Sequence, residues 1–391
     1  MLFCILLLCS TTIYSQSGYV HRLEVAYRQE YIFPTHRFLS SSNAAQQSIR
    51  WGESPHLRYA FRFRPHSPLA RLYADAYQGI GIGYFHFGNS RELGNPLSIY
   101  LFQGARLARL SSKLTLNYEW NLGLSLGWKP YDKERNPNNY VIGSKVNAYL
   151  HAGVHLEWTV SPRFDLIVGL AATHFSNGNT KYPNAGLNTA GLRVGTAYYF
   201  NRTTANQVAA NTSAPGVPLF TPHISYDLTL FGSWRKTGVH VDDSYVASPK
   251  SYAVVGFNFA PMYTVCRRFR AGLSLDGVFD SSSNVYATPT QDENGVDGFT
   301  THAPALNKQL ALGISARAEY VMPYFTIGAG LGANLWHGGG AHKGVYQVLT
   351  LKMELSRNTY LHVGYNLKEF HTPNYLMLGL GIRLHNKNHW R

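Results

Sequence analysis

Three polar side chains interrupt two apolar series in one short part of the sequence. His174 and Ser176 continue an alternating series that begins at Leu166, and Asn188 begins another that ends at Val194. Residues two apart on a strand share a face and lie about 6.5–7 Å apart, so a His–Ser contact is within reach. A histidine beside a serine is the minimal activated nucleophile, and an Asn oxygen can orient the imidazole. The spacing therefore predicts a site for nucleophilic catalysis.

The composition indicates what kind of element presents these side chains. Of 391 residues, 45% are hydrophobic, 14% aromatic and only 14% charged, with 27 Tyr and 36 Gly. An ordinary soluble domain is about 25% charged. The apolar content excludes disorder, and after the N-terminus no run approaches the ~18 apolar residues of a spanning helix. Few charges with much Tyr and Gly are typical of a transmembrane β-barrel.

Long stripes of period-2 patterning support the same class. One parity of residues 114–128 is apolar and the other is polar or glycine, and residues 146–158 repeat this. Residues 310–320, 325–335 and 376–384 show the pattern in the second half. These stripes exceed the usual strand of about 5–6 residues, and aromatic residues flank the aliphatic centre of the stripe at 114–128, as at a membrane interface. The predicted fold is all-β: an antiparallel transmembrane barrel of the bacterial outer membrane with its apolar parity outward.

The three polar residues are exceptions to this parity rule. On the lipid-facing side, His174, Ser176 and Asn188 lose hydration without compensation. Local rules that are broken together at one place point to a functional site. Charged strand residues elsewhere fall on the inward parity, where a polar network in the lumen is expected; they are Glu119, Glu157, Arg193, Arg317 and Glu319.

The ends and middle of the chain suggest its division. Residues 1–15 are typical of a secretory signal peptide, and its removal leaves Cys266 as the one cysteine, so no intrachain disulfide is expected. Residues 16–200 and 222–391 each hold about eight strand-like segments, and the polar stretch 201–221 between them indicates a linker or long turn. Either one barrel of about sixteen strands or two eight-stranded halves fits the even number expected.

Two stretches without alternation, residues 131–140 and 281–307, are predicted to be loops. By the usual asymmetry of these barrels, such long loops face outside.

Local sequence around the polar trio resembles the outer-membrane lipid A 3-O-deacylase (PagL) family. The similarity lies in the run from His174-Phe-Ser-Asn-Gly to Pro183-Asn-Ala-Gly-Leu-Asn188, in Gly-Ile-Gly-Ile-Gly-Tyr at 79–84, and in Leu-Gly-Asn-Pro at 93–96. It covers roughly residues 20–200. The resemblance implies an esterase whose triad lies on the barrel exterior, where outer-leaflet lipid is the substrate.

That resemblance assigns roles to single positions. It implies Ser176 as the nucleophile, His174 as the base and position 188 as the residue that orients the base. Members of the family carry Glu at the third position, whereas this chain carries Asn188; a neutral amide can hold the imidazole tautomer but cannot stabilise imidazolium as a carboxylate does. Because donors are required near the developing negative charge, the candidates for an oxyanion hole are Asn177, Gly178 and Asn184.

Partners follow from charge and compartment. The sequence shows no metal-binding spacing such as HExxH, so we expect neither a metal nor another cofactor. The net charge of +14 does not indicate nucleic acid in an exported protein. It fits attraction to the phosphates of lipid A in lipopolysaccharide.

Three functional hypotheses remain open from the sequence. The first is an outer-membrane serine esterase that acts on an acyl ester of lipid A. The second is a non-enzymatic barrel, either a passive porin or a structural protein, that kept the fold. The third divides the work, with an esterase in the N-terminal half and a C-terminal half that adds only barrel wall or partner contacts.

Overall fold

The computed structural model describes residues 18–64, 67–202, 220–241, 244–291, 297–370 and 372–385. The predicted signal peptide and most of the predicted linker lie outside these ranges. The chain divides into two compact units, Met1–Asn177 with Pro183–Pro218 and Gly178–Tyr182 with Leu219–Arg391. In the described part of the chain, no helix is both long and apolar enough to cross a membrane.

The first unit contains a closed antiparallel barrel in which each strand pairs with the next and the eighth pairs with the first. Two short helices, α1 (Arg37–Ser40) and α2 (Pro68–Leu72), lie between its early strands. Its strands are β1 (Tyr19–Ile32), β2 (Trp51–Phe63), β3 (Tyr77–Tyr84), β4 (Gly94–Arg109), β5 (Leu114–Trp128), β6 (Val146–Thr159), β7 (Phe164–Ser176) and β8 (Leu187–Tyr199).

The second unit contains another closed antiparallel barrel of eight strands. The all-β barrel prediction is therefore confirmed, and of the two strand arrangements the chain adopts two eight-stranded barrels. The strands of the second barrel are β9 (His223–Arg235), β12 (Tyr252–Cys266), β13 (Phe269–Asp280), β16 (Leu310–Val321), β17 (Phe325–His337), β18 (Val345–Glu354), β19 (Thr359–Lys368) and β20 (Thr372–Leu384).

Two small hairpins accompany the second barrel. One pairs β10 (Gly238–Val241) with β11 (Ser244–Ala247), and the other pairs β14 (Tyr286–Gln291) with β15 (Asp297–His302). The prediction that residues 281–307 form only a loop was wrong, because β14 and β15 lie within that stretch. Each of these two strands has only six residues and β14 includes Pro289, so neither has the long apolar stripe by which the wall strands were recognised. The second unit also contains two 3₁₀ turns, Leu306–Lys308 and Gly340–His342.

Alternation along the strands separates an apolar exterior from a charged lumen. In the first barrel, aliphatic side chains such as Leu170 and Leu192 are 60% and 58% exposed, because the surface they face is the membrane. Inside, Arg58 bonds Glu24 and Glu119 at 2.6 Å each, and all three side chains are at most 1% exposed. Arg193 contacts the same two carboxylates. Opposite charges thus fill the lumen in pairs, which limits the cost of burying them.

The second barrel repeats this arrangement. Asp227 bonds Lys352 at 2.7 Å and Arg383 at 2.8 Å, and Lys352 also bonds Glu319 at 2.6 Å. Arg317 pairs with Asp276 at 2.8 Å. The charged residues predicted to face inward therefore lie in ion-pair networks inside the two walls.

Candidate active site

His174 and Asn188 lie directly opposite each other on adjacent strands. They are register partners in the β7–β8 pair, and Ser176 follows two residues after His174 on the same face of β7. All three side chains are half-buried. On the neighbouring strand β6, Leu150 and Ala148 are the register partners of His174 and Ser176. The three residues singled out by parity are thus brought together on the outward face of the first barrel, near one end of the β7–β8 hairpin.

A chain of two hydrogen bonds connects the three side chains. The imidazole Nδ1 of His174 lies 2.6 Å from Oδ1 of Asn188, and its Nε2 lies 2.9 Å from Oγ of Ser176. Since an amide oxygen only accepts, Nδ1 must carry the proton and donate it to Asn188. Nε2 is then the acceptor for the Ser176 hydroxyl proton. Asn188 itself is held by its backbone oxygen, which accepts from the Phe33 amide at 3.0 Å.

Hydrogen bonding between Ser and His is not unique to this place. In the lumen of the same barrel, Nε2 of His56 lies 3.0 Å from Oγ of Ser54, but these residues are only 3% and 1% exposed. His223 and Ser225 of the second barrel have the spacing of His174 and Ser176, yet both are buried. Of these three His–Ser pairs, the one at 174 and 176 lies on the face that is open to lipid.

The side chain between His174 and Ser176 fixes this end of β7 from the inside. Phe175 is fully buried and packs its ring against four other aromatic rings at centroid distances of 5.1–5.8 Å. Because alternate residues on a strand point to opposite faces, burying Phe175 inward forces its two neighbours outward. The four rings belong to Phe85, Phe87, Trp128 and Tyr149.

Replacing Phe175 by alanine is expected to destabilise the first barrel by about 3–5 kcal/mol, since it removes a fully packed aromatic side chain. The measurement is thermal unfolding of the full chain in detergent micelles. Leu170→Ala is the control, because Leu170 lies on the outward face of the same strand and is 60% exposed. Equal losses for the two variants would contradict the supporting role given to Phe175.

The loop after β7 contains the three candidates for an oxyanion hole. Asn177 and Asn184 are brought together, because the backbone amide of Asn177 donates to Oδ1 of Asn184 at 3.0 Å. The Asn177 N–H is thus already engaged, and the amide plane of Asn184 is fixed by it. Gly178 is buried and has a positive φ of 63°, which favours glycine.

Gly186 and the segment Tyr140–Ile142 also shape the site, although sequence reasoning assigned no role in the site to either. The amides of Ala185 and Gly186 donate to the carbonyl oxygens of Tyr140 and Val141 at 3.2 and 3.1 Å. Gly186 has φ of +75°, and a Cβ there would lie 3.0 Å from Cε1 of His174. Glycine thus lets the loop approach the imidazole closely. Its place after Asn184-Ala was a signal of a turn, but not of contact with His174.

Under the serine-esterase hypothesis, replacing Gly186 by alanine is expected to reduce turnover about tenfold, since a positive φ costs an L-residue roughly 1–2 kcal/mol and the added methyl group would press on His174. The measurement is kcat for ester hydrolysis by the folded full chain. The control is Gly18→Ala, because a Cβ at Gly18 would have open space around it. Gly195→Ala is less suitable, since a Cβ there would lie 2.8 Å from a backbone oxygen. An unchanged kcat in Gly186→Ala would show that the close approach of Gly186 to His174 does not affect activity.

No group of three or more His, Cys, Asp or Glu that could hold a metal ion occurs among the described residues. Cys266, which is exposed, is a free thiol and lies at the end of β12 in the second barrel.

The fold is that of an outer-membrane β-barrel, with an apolar exterior and a polar lumen in each unit. Residues 53–197 match the family model described as lipid A 3-O-deacylase (PagL), and residues 224–387 match acyloxyacyl hydrolase, C-terminal domain. The resemblance to the lipid A 3-O-deacylase family that the local motifs predicted is thus confirmed for the first barrel, and the candidate site lies inside that matched region.

Solved structures similar to this chain include other barrels. The outer membrane enzyme PagL is 15% identical, with 44% of this chain and 97% of that chain covered and a TM-score of 0.29. Neisserial surface protein A is 13% identical, with coverages of 46% and 97% and a TM-score of 0.29. No curated protein sequence matches the chain.

Proposed function

We propose that this protein is an outer-membrane serine esterase that removes an ester-linked acyl chain from lipid A. The observation that carries the proposal is the hydrogen-bond chain Asn188–His174–Ser176 on the outward face, with distances of 2.6 and 2.9 Å. Nucleophile and base are within hydrogen-bond reach and a third group orients the base, which is the arrangement that activates a serine. The match of residues 53–197 to the lipid A 3-O-deacylase family model supports the same substrate.

The first half of the reaction forms an acyl-enzyme. Oγ of Ser176 attacks the carbonyl carbon of the acyl ester while Nε2 of His174 takes the hydroxyl proton. The tetrahedral intermediate then collapses, the bond to the sugar oxygen breaks, and the imidazolium returns the proton to that oxygen. The products of this half are a free sugar hydroxyl and an acyl group on Ser176.

The second half restores the enzyme. Water attacks the acyl carbonyl, Nε2 of His174 takes a proton from it, and the bond to Oγ of Ser176 breaks as that oxygen regains a proton. The fatty acid leaves with the oxygen of water. Donors for the negatively charged intermediates are proposed in the loop that holds Asn177, Gly178 and Asn184, with the NH₂ of Asn184 oriented by the bond from the Asn177 amide.

Asn188 can perform part of the work of a carboxylate. Its amide oxygen faces Nδ1 of His174 and so selects the tautomer in which Nε2 is free to accept a proton. A serine protease with Asn in place of Asp loses about 10⁴ in rate because the wrong tautomer is held. An amide oxygen that faces Nδ1 favours the productive tautomer, so the loss need not be that large here, but the amide supplies no negative charge to the imidazolium.

The lumen favours an enzyme over a passive pore for the first barrel. Large side chains that are at most 1% exposed fill its interior; they are Arg28, Arg58, Tyr100, Phe102, Tyr149 and Tyr199. A water-filled channel requires a wider, open lumen. The export signal, the division of the chain at residues 201–221 and the contribution of the second barrel to the reaction remain predictions from the sequence.

The test uses purified full-length protein in detergent with lipid A and reads the products by mass spectrometry. We expect lipid A to lose the mass of one acyl chain and an equal amount of free fatty acid to appear. Lipid A from which mild alkali has removed the ester-linked chains is the matched substrate and should stay unchanged. Intact lipid A after incubation, together with single-channel conductance in a planar bilayer, would overturn the proposal in favour of a non-enzymatic barrel.

A further inference from the structure

A buried carboxylate joins two loops at the end of the first barrel where the candidate site lies. Glu92, in the loop between β3 and β4, is 6% exposed. Its carboxylate accepts from the backbone amide of Ala44 at 3.1 Å and from Nδ2 of Asn89 at 2.9 Å. Ala44 belongs to the loop between β1 and β2. Both loops are therefore tied together by side-chain hydrogen bonds as well as by packing.

Asn139 extends this connection to the loop between β5 and β6. Its side chain is fully buried, and Nδ2 donates to the backbone oxygens of Glu92 and Lys129 at 3.0 and 2.9 Å. Its Oδ1 accepts from the backbone amides of Val141 and Ile142 at 3.2 and 3.1 Å. The side-chain amide of Asn139 thus donates two hydrogen bonds and accepts two, and these bonds hold the backbone of residues 139–142 in place.

The segment Tyr140–Ile142 in turn reaches the loop beside the candidate site. Its carbonyl oxygens at Tyr140 and Val141 accept from the amides of Ala185 and Gly186. Gly186 approaches the imidazole of His174 closely, and Ala185 follows Asn184, whose side chain is bonded to Asn177. Hydrogen bonds and the backbone between them therefore connect Asn139 to Ala185 and Gly186, and Gly186 lies close to the imidazole of His174.

We infer that Asn139 is a positioning residue for the proposed esterase: it acts through Tyr140–Ile142 to hold Ala185 and Gly186 against His174. This inference rests on the proposed function. Loops are the mobile parts of a barrel, and a misplacement of about 1 Å at a catalytic group can cost about 10²-fold in rate. A buried amide with four bonds to backbone groups restricts that movement without touching the substrate.

The chain supplies a close control in Asn136. It lies in the same loop, is 8% exposed, and its Nδ2 donates to the oxygens of Glu92, Lys129 and Pro130 at 2.9–3.2 Å. Within the described part of the chain, however, its Oδ1 has no hydrogen-bond partner. Asn136→Ala therefore removes a similar set of buried bonds and leaves the hold on Val141 and Ile142 in place.

The experiment compares Asn139→Ala and Asn136→Ala in the full chain. For Asn139→Ala we expect kcat per folded molecule to fall about ten- to a hundredfold, with KM within about twofold of wild type. Hydrogen exchange of a peptide that covers residues 184–187, read by mass spectrometry, should become faster. Asn136→Ala should retain wild-type kcat and wild-type exchange in that peptide, even where its thermal stability falls as much.

A second variant separates loss of folding from loss of positioning. In Asn139→Asp the new side chain faces two carbonyl oxygens, which favour its protonated form, and that form keeps one donor and one acceptor. We expect its kcat and its exchange at residues 184–187 to lie closer to wild type than those of Asn139→Ala. If Asn139→Ala yields no folded barrel, exchange at residues 184–187 that is faster in Asn139→Asp than in wild type and in Asn136→Ala supports the inference, because one donor is lost; wild-type exchange in Asn139→Asp contradicts it.

Failure of the inference differs from failure of the proposed function. If the wild-type protein does not hydrolyse the ester, the proposed function is wrong. The exchange measurement would still test whether Asn139 holds residues 184–187. Normal hydrolysis with unchanged kcat and exchange in Asn139→Ala would overturn the inference alone. Equal losses of kcat in Asn136→Ala and Asn139→Ala would also overturn the inference, since a general loss of stability would then explain both results.

Discussion

Replacing Ser176 by alanine is expected to lower kcat for acyl-ester hydrolysis by about 10⁶-fold, as in other hydrolases that use a Ser–His pair. Without Oγ no acyl-enzyme can form, and the remaining activity is limited to what binding and the oxyanion donors provide. The measurement is release of free fatty acid from lipid A by the folded full chain. The loss should appear in kcat, because the hydroxyl contributes little to binding the ground state.

The same prediction extends to His174, because the two residues act as a unit. His174→Gln and the double variant with Ser176→Ala should each lose about as much as Ser176→Ala alone. Ser225→Ala is the matched control: Ser225 follows a histidine at the same spacing, but it is 1% exposed and lies in the wall of the second barrel. If losses from the two single variants multiplied, the residues would act independently and the assignment of nucleophile and base would be wrong.

Replacing Asn188 by leucine is expected to reduce kcat on the order of 10³-fold, somewhat less than loss of the acidic residue from a charged triad. Leucine has similar size but cannot accept the Nδ1 proton of His174, so the imidazole loses its tautomer and orientation. The loss is smaller than for Ser176→Ala because the nucleophile and base remain. Kinetics of fatty acid release by folded protein measure the effect.

Asn188→Glu tests the same contact in the opposite direction. A carboxylate hydrogen bond to the imidazolium is stronger than a neutral one by about 1 kcal/mol, which corresponds to roughly a fivefold gain in kcat. The added charge lies at the end of the hairpin, where the position is half-buried. Activity of Asn188→Leu equal to that of wild type would show that the third residue does not orient His174.

Parity alone predicted the outward placement of His174, Ser176 and Asn188, because a strand has only two faces and the apolar stripe identifies the lipid side. The sequence did not decide between one barrel and two, since sixteen wall strands close either way and every strand keeps its alternation. Closure depends on which strand pairs with β1 and with β9, and these pairings, with β8 and β20, are long-range contacts.

The residues that support the site could not be predicted from the sequence for a related reason. Asn139 lies in a stretch without alternation, and its partners Glu92 and Lys129 are 47 and 10 residues away along the chain. Gly186 was visible only as a turn residue. Likewise, the His-x-Ser spacing occurs at 223–225 as well as at 174–176, so spacing had to be combined with the facing of the strand to separate a candidate site from a buried pair.

For the proposed function, the outward position of the Ser–His pair determines how substrate and product move. Lipid substrate would arrive by two-dimensional diffusion within the leaflet, and the fatty acid product would remain in the same layer without entering the lumen. Turnover is then governed by the surface concentration of lipid around the barrel wall, and an inhibitor must partition into the membrane to reach Ser176.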